Sequence, residues 1–98
     1  MGFAGNSRPQ EIVETDVLTL NEEPFSLIVW NDEVNTFEWV IETLIQVCGH
    51  SNVQAEQCAY LIHYKGKYAV KNGSYDDLKH DCDAITERGI GATVEVTA

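Results

Sequence analysis

Ninety-eight residues make room for one hydrophobic core and not for two. Sixteen acidic side chains against six Lys and Arg give a formal charge of −10, which argues against nucleic acid or an anionic membrane as a partner, since both are held by clustered cations. No run approaches the ~20 apolar residues of a membrane span and the N-terminus lacks the layout of a secretory leader, so a cytoplasmic, soluble chain is expected.

Residues 1–23 are rich in Gly, Asn, Ser, Pro and acids, with few sizeable apolar side chains. They read as a flexible extension, although the alternation in IVETDVLTL would also suit a short strand. Extended at ~3.3 Å per residue, ~23 residues reach roughly 75 Å, far past the domain behind them. From Pro24 the pattern sharpens. FSLIVW is short, aromatic and β-branched, and it ends at a polar NDE corner, so it predicts a strand. A helix follows: Asn35 with Glu38 three residues on suits a capping box, Val40, Ile41, Leu44, Val47 and Cys48 recur at helical spacing, and Gly49 suits the position just past its end.

Ser51 and Gln54 open a second helix whose face is Ala55, Cys58, Ala59 and Ile62 and whose stop is Gly66. Lys67 to Val70 predicts a short strand running into an Asn72-Gly73 turn. Ser74 with Asp77 caps a third helix with the stripe Leu78, Cys82, Ile85 up to Gly89, and Ile90 to Val96 alternates as a half-buried strand. The order β-α-α-β-α-β implies an α+β fold, a small three-stranded antiparallel sheet with three helices packed on one face. Cys48, Cys58 and Cys82 are an odd set without CxxC spacing and read as small buried hydrophobes.

The stretch WNDEVNTFEW gathers acceptors at the first strand-to-helix corner. One polar residue suffices to cap a helix, so Asn31, Asp32 and Glu33 exceed that need. They form either a solvated turn or a site for a cation, because no Lys or Arg occurs from Ser26 to Tyr64. A calcium loop is disfavoured, since these residues are consecutive and lack the spaced pattern. His63, at the rim of the apolar face of the second helix, is either a satisfied structural group or a partner of this corner. His50 and His80 are assigned no role. A Cys58–His63 nucleophile pair is disfavoured, because five residues on a helix diverge by about 140°.

LIVWNDEVNTFEWVIETL and EQCAYLIHYKGK resemble the ClpS family, non-enzymatic adaptors that hand substrates with a destabilising N-terminal residue, an N-degron, to a Clp AAA+ unfoldase and protease. The resemblance spans most of residues 24–96 and implies the same fold. It implies that Asn31, Glu33 and His63, with Asp32 beside them, grip a free α-ammonium, and that Asn35, Phe37, Val40, Ala59, Ile62 and Ile90 line a pocket for the first side chain. It implies no cofactor, a monomer, and as partner the N-terminal domain of an unfoldase of the ClpA or ClpC type. Leu, Phe, Tyr and Trp are the implied first residues. Where the family commonly has Thr, Met and Met, this chain has Asn35, Phe37 and Ala59, and the smaller Ala59 opens one wall toward Ile or Val. The third helix region is shorter than the family's usual length, leaving Lys79 with either Asp76 or Asp77 as candidate docking residues. The flexible extension implies a hand-over element. Competing readings are an interaction module of the same fold without N-degron recognition, and a domain like that of ubiquitin-ligase N-recognins, which are parts of very long chains.

Overall fold

The computed structural model describes residues 24–97. The extension expected over residues 1–23 lies outside the described residues. Strand β1 (Phe25–Trp30) is followed by α1 (Phe37–Cys48), α2 (Asn52–Lys65), β2 (Lys67–Gly73), α3 (Tyr75–Glu87) and β3 (Ala92–Val96). The sheet is antiparallel in the order β2-β1-β3, so β1 is the central strand, and the predicted α+β fold is observed.

The alternation of β1 decides the packing. Leu27 and Val29 point into the core while Ile28 and Trp30 face the other way. Leu44 from α1, Ala55, Cys58 and Ile62 from α2, Val70 from β2, Leu78, Cys82 and Ile85 from α3, and Ile90 complete that core. Burial of a Leu or Ile side chain contributes about 1.5–3 kcal/mol, so this cluster supplies most of the drive to fold. Cys58 and Cys82 are buried and Cys48 half-buried, all three as free thiols. Burial pushes the Cys48 thiol up to about 11 and raises the other two.

The helix ends follow local chemistry with one correction. Ser51 and Ser74 cap α2 and α3 by accepting from Gln54 N and Asp77 N. For α1 the cap is Thr36 and not Asn35: Thr36 Oγ1 accepts from Trp39 N at 3.1 Å, and Asn35 lies one residue upstream with its amide engaged elsewhere. The second strand is also longer than predicted. Asn72 and Gly73 continue the ladder opposite Ser26 and Phe25, where Ser26 Oγ donates to Asn72 Oδ1 at 2.8 Å, so sheet pairing overrides the turn signal. Between Ala69 and Lys71 the register slips, leaving Val70 as a bulge residue with its side chain in the core. The final strand starts at Ala92, because Ile90 N still bonds the end of α3 at Ile85 O.

Candidate functional site: the strand-to-helix corner

The corner is fixed from both sides by backbone and side-chain bonds. At the end of β1, Trp30 N donates to Gly91 O and Asn31 N to Gly66 O, each at 2.9 Å. Gly66 is the left-handed cap of α2 (φ 92°), which sets Asn31 beside the helix end that carries His63. The chain then turns on Asp32. Its Oδ1 accepts from Val34 N at 2.9 Å and Asn35 N at 2.8 Å, and its Oδ2 accepts from Asn35 Nδ2 at 2.8 Å. The two bonds from Asn35 and the one from Val34 hold the Asp32 carboxyl below the usual carboxylate range. Asn35 Nδ2 donates a second time, to Gly89 O at 2.9 Å.

A cleft of about 420 Å³ opens at this corner between the start of α1 and the end of α2. Asn31, Asp32, Glu33 and Asn35 form its polar rim together with Thr36, and Phe37, Val40, Ala59, Ile62 and His63 complete its walls. Nine of the ten predicted site residues therefore border one recess. Ile90, the tenth, is in the buried core and is not part of this lining. Thr36 was not among the predicted residues, because Asn35 with Glu38 matched the capping pattern first.

The polar residues divide into two groups. Asp32 is engaged through both oxygens inside the corner. Among the described residues, the side chains of Asn31, Glu33 and His63 make no hydrogen bond or ion pair, and no Lys or Arg lines the cleft. His63 is exposed and meets the Phe37 ring edge to face, with centroids 6.4 Å apart and planes at 86°. Ala59 and Ile62 are buried, Val40 is half-buried and Phe37 is 41% exposed, so the apolar wall runs from the core out to the rim. Three unpaired acceptors above an apolar recess suit a ligand with a cationic donor head and an attached hydrophobic group.

A second, larger groove of about 620 Å³ lies at the other end of α2, between β2 and the α1–α2 connection. His50 borders it, buried to 7% exposure, with Nε2 3.0 Å from Val70 O. In the third helix Lys79 pairs with Asp83 at 2.7 Å, and Asp76 and Asp77 occupy the first turn. His80 is exposed beside Asp81. No helix among the described residues is long and apolar enough to cross a membrane, and no cluster of His, Cys, Asp and Glu there could hold a metal.

A small α+β domain whose strand-to-helix corner opens a recess with a polar rim and an apolar wall is the class that fold and site define. Residues 20–94 match the family described as ATP-dependent Clp protease adaptor protein ClpS, and the chain belongs to that family. It is 28% identical over 92 residues to an ATP-dependent Clp protease adapter protein ClpS of Nocardia farcinica, covering 94% of this chain and 87% of that one. A protein of the same description from Corynebacterium glutamicum is 34% identical over 85 residues, covering 85% of each. The fold matches the structure of Agrobacterium tumefaciens ClpS2 bound to L-phenylalaninamide with a TM-score of 0.71 at 20% identity, over 78% of this chain and 99% of that one.

Proposed function

We propose that this chain is a non-catalytic adaptor that binds the free α-amino group and the bulky hydrophobic side chain of an N-degron residue and delivers its bearer to a Clp AAA+ unfoldase. The observation that carries the reading is that, among the described residues, the acceptors of Asn31, Glu33 and His63 are unpaired and no Lys or Arg lines the cleft they surround. An ammonium presents three donors in a tetrahedral fan and so is matched by separated acceptors. Each charge-assisted bond contributes about 1.5–3 kcal/mol, and burying a Leu or Phe side chain against Phe37, Val40, Ala59 and Ile62 a similar amount. The ligand of the Agrobacterium structure, L-phenylalaninamide, joins a free amine to a phenyl side chain, the same pairing.

Leu, Phe, Tyr and Trp are the proposed first residues, with Ile and Val admitted by the space beside Ala59. To accept from the ammonium, His63 must present a ring nitrogen that carries no hydrogen. The domain over residues 24–98 docks on the N-terminal domain of a ClpA-type or ClpC-type unfoldase, and residues 1–23 serve hand-over. Fluorescence anisotropy with a Leu-initiated peptide, its acetylated form and a Met-initiated form tests the recognition step. Tight binding of the first alone is expected, and equal binding of Asp- or Gly-initiated peptides refutes it. Deleting residues 1–20 should leave peptide affinity unchanged and impair delivery.

A further inference from the structure

Asp32 belongs to the acceptor-rich rim, yet both of its carboxylate oxygens are engaged within the corner itself. Oδ1 holds the N–H groups of Val34 and Asn35, and Oδ2 holds the Asn35 amide. That amide uses its second hydrogen on Gly89 O, in the turn between α3 and β3. The same turn is gripped one residue earlier, where Trp39 Nε1 donates to Arg88 O at 3.1 Å. Gly89 has φ +85°, so its carbonyl direction is set by a left-handed backbone. On the opposite side the corner hangs from Gly66 O through Asn31 N. The segment that carries Asn31 and Glu33 is therefore suspended between two glycine carbonyls, and the Asp32–Asn35 pair is the side-chain strut that joins it to Gly89 O.

We propose that Asn35 and Asp32 act as one positioning unit, a strut from the corner to the α3–β3 turn that holds the amine-facing acceptors of Asn31 and Glu33 in place, and that Asp32 itself is not a ligand of the amine. This rests on the reading of the cleft as a free-amine site. Asn35 is then a wall of the pocket by location and a brace by function. A hydroxyl at that position has one hydrogen and could not serve Asp32 and Gly89 together, whereas a primary amide has two.

The test compares the full chain with Asn35→Ala, Asp32→Ala and the double variant, each titrated with a Leu-initiated peptide and its acetylated form. The measured quantity is the ratio of the two affinities. A lowered folded fraction reduces both affinities equally and cancels in the ratio, so a purely structural effect does not move it. Each single variant is expected to lower the ratio by about tenfold, and the double variant no further than the larger single, as members of one network behave. A large loss for Asp32→Ala with Asn35→Ala near wild type would make Asp32 a direct ligand and overturn the proposal, as would additive losses in the double variant. A wild type that does not distinguish the free from the acetylated peptide overturns the free-amine reading and this inference with it. A wild type that does distinguish them, with variants that keep its ratio, overturns this inference alone.

Discussion

Helix α2 carries one imidazole at each end, and the two could hardly be in more different surroundings. His50 precedes the cap Ser51 and is buried; Val70 O can only accept, so the 3.0 Å contact fixes the proton on Nε2. Its Nδ1 is buried with no hydrogen-bond partner among the described residues. His63, in the last turn, is exposed, packs its ring against Phe37 and has no hydrogen bond among the described residues. At one end of the helix a buried imidazole is tied to a strand through the carbonyl of Val70. The other end is left open, with acceptors that no group among the described residues satisfies. The contrast teaches that a polar group bonded to its own fold serves stability, while one held in place and left unpaired is available for recognition.

Breaking each end should separate these roles. His63→Ala should produce the largest effect, a loss of about tenfold to a hundredfold in affinity for a free-amine peptide, as expected from one charge-assisted bond of about 1.5–3 kcal/mol. Its melting temperature should stay near wild type, since the side chain is exposed. Anisotropy and a thermal melt on the same sample check both halves. His50→Ala should do the reverse: it strands the Val70 carbonyl in a buried setting, which costs about 1–3 kcal/mol, and it should leave peptide affinity unchanged. Denaturant titration reads that loss, and His50→Gln, whose amide nitrogen can reach where Nε2 lies, should recover part of it.

The same contrast explains how much was legible in the sequence. β1, the three helices and their Ser and Gly boundaries were readable because apolar period and cap chemistry are local signals. The corner stood out because Asn31, Asp32 and Glu33 exceeded what a helix start requires, and His63 because it sat at the edge of an apolar stripe. His50 carries no local signal, because its partner Val70 is twenty residues on in the chain. Asn35 was misjudged for a related reason: by spacing it caps α1, but its amide is drawn off to Asp32 and Gly89, and Thr36 takes the cap. The sequence pattern ends β2 at Val70, three residues early, because the Asn72-Gly73 turn dipeptide is a local signal and the pairing with Ser26 is not.

The glycines flanking α2 give a finer test. Gly49 ends α1 beside His50 with φ +74°, and Gly66 ends α2 just after His63 with φ +92°. A methyl group at either would meet nothing within 4 Å, so the cost of alanine is conformational alone, about 1–2 kcal/mol. Gly49→Ala should lower stability by that amount without changing peptide affinity. Gly66→Ala should lower stability equally and also weaken binding, because Gly66 O is the anchor of Asn31 N. Equal peptide affinities in the two variants would show that the two ends of α2 are not separate in function.

The smallest expected effect is the dependence of stability on pH at the closed end. Desolvation lowers the His50 pKa from the ordinary 6.5 and Lys71 pushes in the same direction, while the bond to Val70 O opposes them. The groups facing this imidazole are Cys48 from α1, whose raised thiol is neutral at these pH values, and Lys71 from β2, paired at 2.7 Å with Asp81 of α3. Above 6.5 the ring is neutral in both the folded and the unfolded chain, so stability is independent of its titration there. As the pH falls below 6.5 the unfolded chain takes up a proton that folded His50 resists, and stability declines until the folded pKa is passed. Protonation would also place a hydrogen on Nδ1 in a spot where no acceptor meets it. Melting temperatures between pH 7.5 and 5 (roughly the range in which histidine changes charge) should therefore fall more steeply for wild type than for His50→Gln, and equal slopes would show that the buried ring is not the group responsible.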